Sequence, residues 1–216
     1  MQVFNRLVLT TMLAQGIASL KLNLSARQID LLIDYLALLI KWNAVYNLTA
    51  VRDPAQMVTQ HLLDSLAVVV AFDRVKNILD VGAGGGLPGI VLAIVRPDMQ
   101  VSMIDTVHKK TAFLTQAKAE LGLINVTVHT GRVEQLQVAH KFEAITSRAF
   151  AELADFINWS GHLLAPGGRF VAMKGANPQQ ELLRLPDGWV VQEVRALTVP
   201  GLQAQRHLIF IERNQN

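Results

Sequence analysis

A glycine loop with acidic neighbours holds the residues best suited to chemistry in this chain. Asp80-Val81-Gly82-Ala83-Gly84-Gly85-Gly86-Leu87-Pro88-Gly89 follows the apolar run Asn77-Ile78-Leu79 and precedes a second, Ile90 to Val95. That order predicts strand, turn and helix. Five glycines between positions 82 and 89 remove the Cβ atoms that keep a ligand from the backbone, and they permit positive φ. N–H groups at the helix start then face whatever lies above the strand. The chemistry predicted is the holding of a nucleotide-like cofactor.

Two cofactor classes compete. Gly84-x-Gly86-x-x-Gly89 satisfies the dinucleotide fingerprint, and Asp105 stands near the acidic position expected at the end of the next strand. Against a dinucleotide, Asp80 would set a negative charge near the pyrophosphate. The loop is also long, and the chain closes on what reads as an antiparallel strand pair. S-adenosylmethionine fits better, because it has no phosphate and carries a positive sulfur, a free amine and a ribose. An acidic loop can face the cation and amine, and Asp105 can accept hydrogen bonds from both ribose hydroxyls. The structural alternative is that Asp80 caps the turn after it and Asp105 caps a helix from 108.

The elements that must position these residues fall into two stretches. Residues 1–72 read as a helical extension packed on the core. Val3, Phe4, Leu7, Val8 and Met12 suggest one apolar helical face. Ser25 is a good N-cap with Gln28 at the capping-box position, and Ile29, Leu32, Ile33, Leu36, Leu39 and Ile40 repeat at helical spacing. Asp53-Pro54 opens another helix, with proline at its first position. Residues 73–216 read as one α/β domain. Strands are expected at 77–82, 101–105, 125–130, 142–147, 168–173, 189–198 and 206–212. Helices are expected at 87–95, 108–121 and 151–164, with a short one near 178–184. Pro166-Gly167-Gly168 is read as the end of the third. Alternating strands and helices predict a largely parallel, doubly wound seven-stranded sheet. Residues 199–205 are too few for a crossover, so the last two strands should pair antiparallel.

Composition narrows the classes. The chain has 216 residues, 51% of them hydrophobic, which is enough for a sizeable core. It has no cysteine, which excludes disulfides, thiolate metal sites and a cysteine nucleophile, and fits a cytoplasmic setting. The net charge of +3 is spread along the chain with no block of like charges, so charge alone argues little for nucleic acid. Asp34 and Asp64 interrupt the longest apolar stretches, and no membrane span is expected. No His, Asp and Glu spacing suits a metal, and none is expected.

Several short motifs then occur in order: His61-Leu62-Leu63-Asp64-Ser65, the loop from Asp80 to Gly89, Lys110-x-x-Phe113-Leu114, Gly131-Arg132-Val133-Glu134, Ser147-Arg148-Ala149-Phe150 and Met173-Lys174-Gly175. Together they resemble the RsmG (GidB) family of bacterial small-subunit ribosomal RNA methyltransferases, from Trp42-Asn43 to Arg206-His207. The resemblance implies a class I S-adenosylmethionine-dependent methyltransferase fold, Rossmann-like, with an N-terminal helical extension. It implies methylation of N7 of one guanine, guanine-527, in 16S rRNA. Carried over by motif, it implies cofactor contacts at Gly82, Leu87, Val133, Glu134 and Arg148, beside Gly84, Gly86 and Asp105 from the loop reading.

The chemistry expected is sparse. Guanine N7 carries an in-plane lone pair and no proton, so attack on a sulfonium methyl group needs no general base, and no catalytic acid or base is assigned. Holding the reactants in line can supply roughly 7–11 kcal/mol at best. For RNA or substrate contact the candidates are His61, Phe150, Lys174 and Arg206. Phe150 is read as core or as a stacking partner for the base. Lys174 is read as a phosphate contact or a solvated lysine, and His61 as a structural histidine or a residue of the rim. The expected partner is 16S rRNA, within the 30S subunit or a precursor, with the protein a monomer. Three rivals remain: a small-molecule methyltransferase on the same fold, a nicotinamide-dependent oxidoreductase, and a non-catalytic RNA-binding module.

Overall fold

The structure, a computed structural model, describes residues 4–214; Val3 lies outside them. Two long helices come first, α1 (Arg6–Ser19) and α2 (Ala26–Tyr46). The Asn5 side chain caps α1 by accepting from Val8 N. Ser25 and Gln28 form the expected capping box on α2. The same Gln28 amide donates to the carbonyls of Ile94 and Val95 at 3.3 and 3.1 Å, tying the start of α2 to the far end of a helix in the sheet layer.

The apolar face of α1 differs from the expected one. Leu9, Leu13, Gly16 and Ile17 are buried, while Leu7 and Val8 are exposed. Apolar residues lie all round this helix, so periodicity could not choose a face. Packing chooses it: Gly16 lies against Leu63, whose side chain a Cβ there would overlap.

The third helix, α3, starts as α-helix at Pro54–Met57, winds as π-helix at Val58–Leu63 and returns to α-helix at Asp64–Leu66. With the 3₁₀ turn Val69–Phe72 it makes a helical stretch, Pro54–Phe72, of 19 residues. By length and apolarity alone that stretch would reach across a membrane, although Asp64 interrupts it as the sequence reading noted. However, 67% of its apolar window is buried inside the protein.

The sheet follows, with β1 (Asn77–Val81), β2 (Gln100–Asp105), β3 (Val126–Thr130), β4 (Phe142–Arg148), β5 (Leu164–Lys174), β6 (Trp189–Leu197) and β7 (Arg206–Arg213). Helices α4 (Gly89–Val95), α5 (His108–Glu120), α6 (Leu153–Ser160) and α7 (Gln179–Leu182) connect them. The order is β3-β2-β1-β4-β5-β7-β6. The first five strands are parallel, and β7 runs antiparallel between β5 and β6. This is the expected doubly wound seven-stranded sheet, with an antiparallel last pair. Its strand order reverses between β1 and β4, which places a crevice at their carboxyl ends.

Alternation along the strands divides the core in two. Ile78, Ala144, Val171, Leu208 and Phe210 join α1 to α5 in one apolar cluster. Leu79, Val81, Ile145, Phe170, Ala172, Ile209 and Ile211 join α6 in the other. The helices of residues 6–66 therefore share one continuous core with a face of the sheet.

Most boundaries fall within a residue or two of those expected; the largest difference is at the start of β5. Pro166-Gly167-Gly168 does not end a helix but lies inside β5, whose pairing with β4 jumps from Phe142↔Leu164 to Ala144↔Arg169. Proline has no N–H for a ladder, so it sits in this bulge. A Cβ at Gly168 would lie 2.8 Å from the carbonyl oxygen of Glu143. The preceding helix is correspondingly shorter, ending at Ser160 with a 3₁₀ turn over Gly161–Leu163.

Candidate functional site

The carboxyl ends of β1 to β4 converge on a cavity of about 720 Å³. Each strand supplies a residue because parallel strands all end on the same edge. Gly82 follows β1, Asp105 ends β2, Val133 and Glu134 lie on the 3₁₀ turn after β3, and Ala149 and Phe150 follow β4. Lys110 and Trp159 close the sides.

The glycine loop is fixed from below and from both sides. Gly82 N and Ala83 N donate to the Ile104 carbonyl at 2.9 and 3.1 Å, and Gly86 N donates to that of Ala83 at 2.7 Å. Gly84 N donates to Asp105 Oδ2 at 3.0 Å, while Asp105 Oδ1 accepts Val107 N at 2.9 Å. One carboxylate thus holds both the loop and the start of α5, with Lys110 Nζ at 3.5 Å. Gly82 has φ +68°, and a Cβ there would overlap the ring of Phe150. The bare face of Gly82 is already taken by an aromatic side chain of this chain.

Asp80 does not face the cavity. It is fully buried beneath the loop, on the opposite strand face from Leu79 and Val81, and Oδ2 accepts Gly89 N at 2.8 Å. Burial pushes its carboxyl up to about 7, against the pull of the Gly89 hydrogen bond and of Arg148. Oδ1 has no hydrogen-bond partner among the described residues. Of the two roles open to Asp80, the cap of the following turn is the one its side chain takes.

The expected site residues divide. Gly82, Asp105, Val133, Glu134 and Phe150 line the cavity; Gly84, Gly86 and Leu87 form the loop behind it. Arg148, at the end of β4, turns back instead. Its Nη1 donates to the Gln60 carbonyl at 2.9 Å and to Asp64 Oδ2 at 3.2 Å. Arg206 Nε reaches the other oxygen, Asp64 Oδ1, at 2.8 Å. His61 is buried, its Nε2 2.9 Å from Thr49 Oγ1. Burial, with Arg148 nearby, pushes the imidazole down to about 4, so it is neutral at pH 7. Lys174 is engaged by Glu181 Oε2 at 2.7 Å and the Ala151 carbonyl at 2.8 Å, so its ammonium is committed inside the protein. Phe150 stands edge-on to Phe156 and Trp159, with centroids 6.2 and 5.7 Å apart.

Sequence reasoning missed three residues. Tyr35 is fully buried in α2, and its hydroxyl donates to the Gly85 carbonyl. In the sequence it is one more position on an apolar helix. Trp159 stands on a helix with no local motif. Asp64 read as an interruption of an apolar run and as part of the His61–Ser65 motif, with no role of its own assigned. Among the described residues, no group of three or more His, Asp or Glu is placed to hold a metal.

The family described as rRNA small subunit methyltransferase G (GidB) matches residues 28–209. The chain is 69% identical over 217 aligned positions to the ribosomal RNA small subunit methyltransferase G of Herminiimonas arsenicoxydans, covering 99% of this chain and 100% of that one. It is 56% identical to the protein of the same name from Ralstonia nicotianae, covering 92% and 93%. Among solved structures, it resembles a putative O-methyltransferase from Klebsiella pneumoniae, with TM-score 0.57, 18% identity and coverage of 83% and 90%. It also resembles the O-methyltransferase TomG from Streptomyces achromogenes in complex with SAM, with TM-score 0.56, 17% identity and coverage of 84% and 90%. At such identities these two likenesses concern the fold.

Proposed function

The chain belongs to the GidB family of small-subunit ribosomal RNA methyltransferases, and from that premise we propose that it methylates N7 of one guanine, guanine-527, in 16S rRNA. The methyl donor is S-adenosylmethionine. The observation that carries the reading is the cavity at the strand ends, walled by two carboxylates and floored by Gly82.

The donor set fits the cofactor. Asp105 is 6% exposed, yet it lines the cavity; Oδ1 keeps a lone pair after accepting Val107 N, while Oδ2 accepts Gly84 N at 3.0 Å and the Lys110 ammonium at 3.5 Å. The free lone pair on Oδ1 suits a ribose hydroxyl, and the long Lys110 contact is the one a second hydroxyl would displace. Glu134 adds a second carboxylate on the same wall, suited to a positively charged or N–H-bearing ligand. S-adenosylmethionine supplies an electrophilic methyl group on a cationic sulfur. The protein's part is to bind, to orient and to exclude water; N7 has no proton to lose, so no side chain needs to act as a base. Phe150, Trp159 and Val133 give the cavity an apolar side on which an aromatic ring can rest. The reading carries with it a cytoplasmic monomer acting without a metal on rRNA, within the 30S subunit or a precursor.

The test is transfer of labelled methyl groups to unmethylated 30S particles, with free 16S rRNA in parallel. The expected product is 7-methylguanosine at guanine-527. Label on another base or position, with none there, refutes the assignment.

A further inference from the structure

Asp64 joins three parts of the fold that are far apart in sequence. It is 1% exposed, and its two oxygens are divided between two guanidinium groups, Arg206 Nε at 2.8 Å and Arg148 Nη1 at 3.2 Å. The same Arg148 nitrogen donates to the carbonyl of Gln60 at 2.9 Å. Gln60 lies in the π-helical turn, where the wider winding alters the regular i→i−4 pattern of carbonyl acceptors. A strand end, the last strand and the π-turn of α3 therefore meet on one buried carboxylate.

The wall of the cavity starts where that anchor ends. Arg148 is followed by Ala149 at φ +52°, a left-handed conformation unfavourable for an alanine, and then by Phe150, whose ring lies on Gly82. Such a turn persists only where its neighbours fix it. Arg148 does not line the cavity, whereas Ala149 and Phe150 do. Its side chain acts on the site through the backbone it belongs to.

We infer that Asp64 is a positioning residue for methyl transfer: by fixing Arg148 against α3, it holds Ala149 and Phe150 as the cofactor cavity's wall. This rests on the reading of that cavity as the S-adenosylmethionine site. Loss of the Asp64 charge leaves two guanidinium groups facing each other without a counter-ion, and Arg148, with 24% of its side chain exposed, is free to turn to solvent. The Ala149 turn then relaxes and Phe150 leaves Gly82. The helical extension thereby governs cofactor affinity without touching the cofactor.

The test is a double-mutant cycle on the full-length enzyme, read as the dissociation constant for S-adenosylmethionine and as separate KM values for cofactor and 30S particles. In Asp64→Asn the cofactor constants should rise about tenfold or more, with KM for 30S within about twofold of wild type. Arg148→Gln should do the same, and Asp64→Asn added to Arg148→Gln should cost nothing further. Additive losses, or an equal rise in both KM values, would show general loosening and overturn the proposal. Should Asp64→Asn fail to fold, Arg148→Gln decides alone: an unchanged cofactor constant there overturns it, because the route from Asp64 to the wall runs through Arg148. A wild-type protein that neither binds the cofactor nor methylates rRNA would sink the functional reading instead.

Discussion

The hydroxyl of Tyr35 donates its hydrogen bond to the carbonyl oxygen of Gly85, so the second helix of the chain grips the tip of the glycine loop. The phenol is fully buried and its pKa is raised by that burial, which keeps it a donor at any pH the enzyme meets. Leu39, one turn further along α2, packs on the same glycine at 3.2 Å from its Cβ position. A loop rich in glycine loses much freedom when ordered. Here α2 supplies part of the order.

Tyr35→Phe should therefore do two things. It leaves the Gly85 carbonyl without its partner, costing about 1–2 kcal/mol in urea unfolding. It should also raise the dissociation constant for S-adenosylmethionine several-fold, measured by calorimetry. Unchanged values in both would show that the contact contributes nothing.

Gly82→Ala tests the close approach of Phe150. The added methyl meets both the aromatic ring and a left-handed backbone, at φ +68°. The expected outcome is loss of cofactor binding by about tenfold or more together with lower thermal stability. Phe150→Ala combined with Gly82→Ala should cost less than the sum of the two single losses, since the added methyl then no longer meets the ring.

Asp105→Asn keeps the shape of the carboxylate but removes its charge and makes one of its two acceptors a donor. Val107 N and Gly84 N cannot then both be satisfied. Cofactor affinity should fall by about 1.5–3 kcal/mol, the usual worth of a hydrogen bond to a charged group. Equilibrium dialysis with labelled cofactor measures it.

Stability against pH should carry two opposing slopes. Asp80 holds its proton up to about 7 in the folded protein, above the ordinary carboxylate value of 3.8, because burial disfavours its anion. The folded state therefore binds more protons, and the Asp80 contribution declines as pH rises from about 4 to 7. His61 is lowered from 6.5 to about 4, so its contribution declines in the other direction, as pH falls from 6.5 towards 4. Each masks the other in wild type. Asp80→Asn should expose the histidine slope, giving steeper loss of stability on acidification below pH 6.5 in urea titrations. His61→Gln should expose the aspartate slope. Parallel curves for all three proteins would mean that neither group titrates in this window.

Local elements were legible to different depths. The strand, glycine turn and helix around Asp80–Gly89 were readable because neighbouring residues encode them, as were the capping box at Ser25 and the antiparallel last pair. The face of α1 was not, because an all-round apolar helix has no preferred side until Gly16 meets Leu63. The bulge at Pro166 was hidden for a related reason. Pro-Gly-Gly breaks a helix and a strand alike, and only the partner strand shows which.

The same division holds at the site. From the sequence come the loop, the acidic residue at the end of β2, the motifs after β3 and β4, and through them the family and its methyl donor. Those signals are short-range, carried by residue type, spacing and turn chemistry within a few positions. The tertiary structure alone decided which charged residues are spent inside the protein. Arg148 was expected at the cofactor and Arg206 at the RNA, yet their shared partner Asp64 lies 84 and 142 positions away. Lys174 read as a phosphate contact or a solvated lysine until Glu181 was brought against it. A side chain's partner at such separations is set by how the elements pack, and its chemistry at the site follows from that partner.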